Sequence, residues 1–385
     1  MINCALTGKL LKTPIYQSHG DLSVTSLSQT YEGKTTVYFN EEIGHLQTQE
    51  IADIDTYYDK KYQFFNQSDE DDILYKVVDG KKIFRQEHQV NTLLSKLRFE
   101  SGMQVLDYGC AKGTVMKRLK LQNPSVETYL FDVSQMYVEL WQKFLPSDDY
   151  YASYKTKPEW RGRFDVVTSF FAFEHISDPF KELSIINDLL KDGGHFYCVV
   201  PNVFENTGDF IVADHVHHYS DVSLRYLLAK AGFETVEIDA CSHFGAYIAV
   251  GKKVSREPLK SEIDAGNLGS VVDAVEEIAA YWNVLQEKIC QFEESVTGKK
   301  SAIYGAGVYG SFIATSLRNL EYVQCFIDQN PLLHGTTTFN KPIIFSNELL
   351  DDIQVVYVGL NPKVARANIQ SIDAWHSKSH KYLFL

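Results

Sequence analysis

The residues of this chain best suited to chemistry stand where apolar runs end. Val105-Leu-Asp107-Tyr-Gly109-Cys-Ala-Lys-Gly113 closes a hydrophobic run with an acid and then turns on two glycines. Glycine lets the backbone come close to a bound ligand, and a helix opening behind such a turn offers free N–H groups to a carboxylate or phosphate. A second acid, Asp132 in Tyr129-Leu-Phe131-Asp-Val133-Ser, follows about 20 residues on, the spacing at which a carboxylate can grip ribose hydroxyls. Any doubly wound fold with a glycine turn would read the same way, so the pair alone leaves the ligand open. Further on, Arg163-Phe-Asp165-Val-Val-Thr-Ser-Phe-Phe171-Ala-Phe-Glu174-His175 reads as a buried strand running into a polar loop. Asp214-His215-Val-His217-His218 adds a second polar cluster, and histidine is the side chain whose ordinary pKa suits proton transfer near neutrality. Neighbours on an extended segment point opposite ways, so Asp214, His215, His217 and His218 are not expected to converge on a metal, and no metal is expected.

Such residues need a frame, and the pattern around them supplies one. Residues 180–190 have helical spacing, Lys191-Asp-Gly-Gly194 closes them, and His195-Phe-Tyr-Cys-Val-Val-Pro-Asn202 is an apolar strand ending in a turn. Strands and helices alternating with short connections predict an α/β fold, a parallel sheet covered on both faces. This core should span residues 75–253. Before it, residues 1–74 are rich in Ser, Thr, Tyr and Gln, with short alternating strands such as Thr35-Thr-Val-Tyr-Phe39, and read as a small β-rich module. An acidic run over residues 68–72 reads as a solvated loop. After the core, residues 254–298 carry Val271, Val275, Ile278, Trp282, Leu285, Ile289 and Phe292, spaced alternately four and three, a stripe on one long helix. It can pack along a neighbouring domain or pair with a second copy, making the chain a monomer or homodimer. Residues 299–385 restart with Ser301-Ala-Ile-Tyr-Gly305-Ala-Gly307-Val-Tyr-Gly310, with Asp328 after the next strand, and form a smaller Rossmann-like domain. Gly305 and Gly307 either cradle a nucleotide or serve packing.

A chain of 385 residues calls for two or three domains. Its formal charge of −13 argues against nucleic acid as partner, since phosphate backbones call for basic surface. The six cysteines are scattered and read as reduced, packed thiols. No basic-then-apolar leader opens the chain and no apolar run reaches about 18 residues, so a soluble, cytoplasmic protein without membrane contact is expected.

The glycine turn at 109–113, the acid at 132 and the Phe171-Ala-Phe-Glu174-His175 loop resemble the S-adenosylmethionine (SAM) site of a class I methyltransferase. With the small N-terminal module and the C-terminal Rossmann-like domain, nearly the whole chain resembles the C-methyltransferases that act on nucleotide-linked deoxysugars. The sharpest element is Ile211-Val-Ala-Asp214-His215-Val-His217-His218-Tyr219-Ser220, which is similar to the family's acid-histidine segment at the sugar site. The resemblance implies SAM as cofactor, S-adenosylhomocysteine as product and a nucleotide-linked sugar as small-molecule substrate. Gly109 and Gly113 would form the carboxylate-end turn, Asp107 would meet the amino group and Asp132 the ribose. Phe131 and Val133 would flank adenine, while Phe171 and Glu174 would line the methyl-transfer chamber. His215 is the first candidate for a base, with Asp214 as its neighbour and His175 second. Tyr62, in Tyr58-Asp-Lys-Lys-Tyr62-Gln-Phe, would donate to the sugar or its enolate.

This chain departs from that family in two ways. The N-terminal module usually binds zinc through paired cysteines, whereas here Cys4 and His19 are the donors left and Glu42-Ile-Gly-His-Leu-Gln47 replaces a cysteine pair, so the module reads as a relic without metal. Asp214 stands where Glu is typical. O- or N-methylation of a related sugar or metabolite would use the same SAM motifs. A bifunctional or regulatory protein binding NAD(P) at Gly305–Gly310 would instead retain nicotinamide on purification.

Overall fold

The apolar runs that end in acids and glycines assemble into one seven-stranded sheet, with the order Tyr150–Ala152, Glu127–Asp132, Gln104–Tyr108, Phe164–Phe170, Leu190–Pro201, Ala246–Lys253, Phe233–Asp239. All pairs are parallel except those of Ala246–Lys253, which runs antiparallel to both neighbours. This is a computed structural model, and it describes residues 1–52, 74–78 and 80–385. Tyr62 and the acidic run at 68–72 lie outside the described residues.

Successive side chains of a strand face opposite sides, and the core uses both. Leu106 and Val167 pack with Leu183, Ile186 and Leu227 from helices Pro179–Leu189 and Asp221–Lys230. Their neighbours Val105 and Val166 pack with Val90, Leu93, Met116 and Leu119 from helices Arg85–Lys96 and Thr114–Gln122. Local signals start these helices where they are needed. Asp178 accepts from Lys181 N, and Ser220 and Ser223 form a reciprocal capping box directly after the histidine segment.

The N-terminal module is a small antiparallel sheet, Tyr16–Gln17, Thr36–Asn40 and His45–Thr48, completed by His217–His218 from the core. At its outer end the turns Cys4–Thr7 and Asn40–Ile43 have matching backbone bonds, Thr7 N to Cys4 O and Ile43 N to Asn40 O. Asn40 Nδ2 donates to Cys4 Sγ at 3.3 Å and to Thr7 Oγ1 at 2.9 Å. Cys4 and His19 belong to no cluster of three or more potential metal donors among the described residues. The reason is placement: Cys4 faces Asn40, while His19 sits by the long helix and donates its backbone N–H to Gln286 Oε1.

That helix, Ala265–Ser295, buries Val271, Val275, Ile278, Trp282, Leu285 and Ile289 inside the chain. Their partners are Tyr16, Val37 and Leu46 of the module, Phe210 and Ile211 of the core and Phe312 and Ile313 of the C-terminal domain. The last is a six-stranded sheet, parallel apart from its Thr337–Thr338 edge. All six cysteines are free; Cys241 is exposed. No helix among the described residues is long and apolar enough to cross a membrane.

Candidate active site

A cavity of about 1020 Å³ opens at the carboxyl ends of the core strands, where open parallel sheets hold their ligands. One side is built by the two acid-ended strands. Gly109, Ala111 and Gly113 have φ of 75°, 46° and 68°, so the turn between strand and helix is wound through the left-handed region. A Cβ at Gly113 would come within 2.6 Å of Leu130 Cδ1, and one at Gly109 within 2.8 Å of Ala172 Cβ. The turn is tied to Asp132, whose Oδ2 accepts from Ala111 N at 2.8 Å while Oδ1 accepts from Ser134 N at 2.9 Å. Burial raises the Asp132 pKa and these backbone bonds oppose it. Asp107 accepts from Thr168 Oγ1 at 2.9 Å, and burial pushes its carboxyl up to about 7. Asp107, Gly109, Phe131, Asp132 and Val133 all line the cavity. Gly113 does not; it sits at the N-terminus of helix Thr114–Gln122 and shapes the turn from behind.

Facing them in the same cavity are Phe171, Glu174, His175 and His215. Phe171 takes a φ of 53°, which turns the chain out of its strand. Glu174 is buried, its Oε2 has no hydrogen-bond partner, and burial lifts its pKa to about 8 against the pull of His215. His175 Nδ1 lies 2.9 Å from the Asp214 carbonyl, so this nitrogen must carry the proton. Burial holds the His175 pKa down at about 4, leaving a neutral ring edge-on to His215 at 4.7 Å.

The acid that holds His215 is not its sequence neighbour. Asp214 points away, accepting from Ser26 N and Ser26 Oγ, both at 2.7 Å, and so fastens the N-terminal module to the histidine segment. His215 Nδ1 instead lies 2.5 Å from Asp209 Oδ1. Burial would lower the His215 pKa, but Asp209, with Asp214 and Glu174, outweighs it and raises the group to about 9. Asp209 itself, despite burial, is held well below the usual carboxylate range by His215 and His218. His218 bridges Asp209 and Thr48, and His217 Nδ1 meets His45 Nε2 at 3.0 Å. No sequence motif marks Asp209, which reaches His215 from a short turn six residues earlier in the chain. Among the described residues, Glu174, His175 and His215 and also Asp209, His215 and His218 have spacing that could hold a metal; in the second group His215 Nδ1 and both Asp209 oxygens are already engaged.

Gly305 and Gly307 do not line this cavity. Gly305 and Gly310 serve close backbone packing, since Cβ atoms there would come within 2.3 Å of Gly359 O and 1.8 Å of Gly305 O. A Cβ at Gly307 would meet nothing within 4 Å. Asp328 repeats the Asp132 device, accepting from Ala306 N and Asn330 N at 2.9 Å.

Residues 83–238 match the family described as a methyltransferase domain. Among solved structures, the [4+2]-cyclase SpnF is 18% identical with a TM-score of 0.39, over 49% of this chain and 87% of its own. An S-adenosylmethionine dependent methyltransferase from Mesorhizobium loti is 13% identical with a TM-score of 0.37, over 43% of this chain and 98% of its own. A phosphoethanolamine N-methyltransferase from Haemonchus contortus, solved with S-adenosylmethionine, is 15% identical with a TM-score of 0.36, over 43% and 52%. No curated protein matches the chain. The core is thus a class I SAM-dependent methyltransferase domain, and the chain is an enzyme.

Proposed function

We propose that this enzyme methylates a nucleotide-linked sugar, a small cytoplasmic metabolite, at a carbon beside a keto group. The observation that carries the reading is one cavity lined both by Asp107, Gly109 and Asp132 and by His215, Glu174 and His175. The first set fits SAM by donor chemistry: Gly109 for backbone approach to the amino-acid end, Asp107 for its ammonium and Asp132 for the ribose, with Phe131 and Val133 flanking adenine. Bound SAM supplies an electrophilic methyl, and the chain must place a nucleophile in line with it.

His215 takes the acidic proton from the acceptor carbon through Nε2, the nitrogen that Asp209 leaves free. The enolate oxygen needs a hydrogen-bond donor, and Glu174, held protonated near neutrality by its burial, can give one. Tyr62 is the further donor suggested by resemblance.

The test is exchange of the acceptor's acidic hydrogen with deuterated water when S-adenosylhomocysteine replaces SAM. His215→Asn should lower exchange about 10²–10⁴-fold while SAM affinity stays near wild type. A product carrying its new methyl on oxygen or nitrogen would overturn the carbanion step and leave the SAM site standing.

A further inference from the structure

Asp209 reaches His215 through one oxygen and a second histidine through the other. Its Oδ1 lies 2.5 Å from His215 Nδ1 and its Oδ2 lies 2.6 Å from His218 Nδ1. On the far side of His218, Nε2 lies 2.8 Å from Thr48 Oγ1 in the N-terminal sheet. An ionised carboxylate can only accept, so both imidazoles present Nδ1–H to it. In its neutral form His215 is left with Nε2 as its bare nitrogen, on a ring that lines the cavity.

The turn carrying Asp209, Thr207–Ile211, is braced by every other part of the molecule. Trp282 Nε1 of the long helix donates to Thr207 O at 2.9 Å, and Gly208 N donates to Tyr309 Oη of the C-terminal domain at 3.0 Å. Thr35 Oγ1 of the N-terminal module donates to Ile211 O at 3.3 Å, and strand His217–His218 is held by pairing with His45–Thr48. A turn fixed from three sides can hold a side chain within the narrow tolerance that proton transfer demands.

From this geometry we infer that Asp209 and His218 are positioning residues for His215: Asp209 fixes the tautomer that turns Nε2 toward the acceptor, and His218 takes a share of Asp209's charge. The inference rests on His215 as base. Sharing matters because an undivided carboxylate would hold the proton on His215 more firmly, and a base that stays protonated cannot act. Glu174, Asp214 and His175 also act on His215 electrostatically, and Arg85 acts on Glu174, so titration of the site is coupled. The two substitutions nevertheless push in opposite directions.

Asp209→Asn removes the charge, so His215 loses its proton at lower pH. It also frees the ring to flip its tautomer, because the amide can donate to Nδ1, and the maximal exchange rate should fall about 10–10³-fold. Asp209→Glu should restore part of that rate. His218→Phe leaves Asp209 to His215 alone, so the acid limb of the exchange profile should move to higher pH.

The titration of His215 should be read by ¹⁵N histidine NMR of the full-length protein with S-adenosylhomocysteine bound, the signal assigned by its loss in His215→Asn. Opposite shifts in Asp209→Asn and His218→Phe, each binding S-adenosylhomocysteine as wild type does, support the inference. Shifts in the same direction, or none, overturn it and leave Asp209 and His218 as structural groups. If one variant does not fold, the sign of the other's shift still decides. Opposite NMR shifts with no wild-type exchange on any keto-sugar would leave the positioning intact and remove the acceptor reading instead.

Discussion

At the scale of single residues, Asp107 and Asp132 do different work from Asp209 and Asp214 beside the histidines. The place of Asp132 beside the cavity was legible because spacing from a glycine turn is a local property, whereas Asp209 was not, because no motif marks it although it lies six residues before His215. Asp214 is next to His215 in sequence, but neighbours on extended backbone point apart, and the Asp214 carboxylate goes to Ser26. Replacing Asp132 by Ala should remove ribose contacts of about 1.5–3 kcal/mol, roughly 10- to 100-fold in SAM affinity. Unchanged binding by titration calorimetry would sink that role. A pH prediction follows from His215, whose folded pKa is raised to about 9. As a base it must be neutral, while Glu174, lifted to about 8, must keep its proton, so exchange in the S-adenosylhomocysteine complex should climb from pH 7 and pass through a maximum between about pH 8 and pH 9. A rate flat across that window would mean another group removes the proton.

Among elements, the N-terminal module differs most from its expected chemistry. Sequence showed that paired cysteines were missing but not what joins the two turns in their place. The structure answers with the Asn40 amide, which bonds Cys4 Sγ and Thr7 Oγ1, while Ile43 is buried in the shared core. An amide needs no metal to do this. Protein purified without chelator should therefore carry no stoichiometric zinc by elemental analysis, and one zinc per chain would overturn the account. Asn40→Ala should lower stability by about 1–3 kcal/mol, since Thr7 and Cys4 lose a buried donor. Denaturant unfolding measures it, and a loss well below that range would show that apolar packing alone holds the turns together.

For the whole molecule, the long helix decides how the parts communicate. Its stripe of four-and-three spacing was readable, but spacing could not say whether the partner was a second copy or this chain's own domains. The buried faces of Trp282 and its neighbours lie against all three parts, so the C-terminal domain reaches the histidine segment by contact, and no ligand in its glycine loop need be invoked for that. Tyr309 is the point of contact: its ring stacks on Trp282 and its hydroxyl takes the Gly208 N–H and meets Thr207 Oγ1 at 3.2 Å. Tyr309→Phe deletes that hydroxyl and keeps the ring, leaving a partly buried N–H short of its acceptor at a cost of about 1–3 kcal/mol. The loosened turn carries Asp209, so exchange at the acceptor carbon should fall several-fold. SAM affinity should not change, because Asp107, Gly109 and Asp132 are held by bonds of their own. A parallel loss of SAM binding and exchange would mean that Tyr309 supports the core as a whole, and that the C-terminal domain has no particular hold on the catalytic turn.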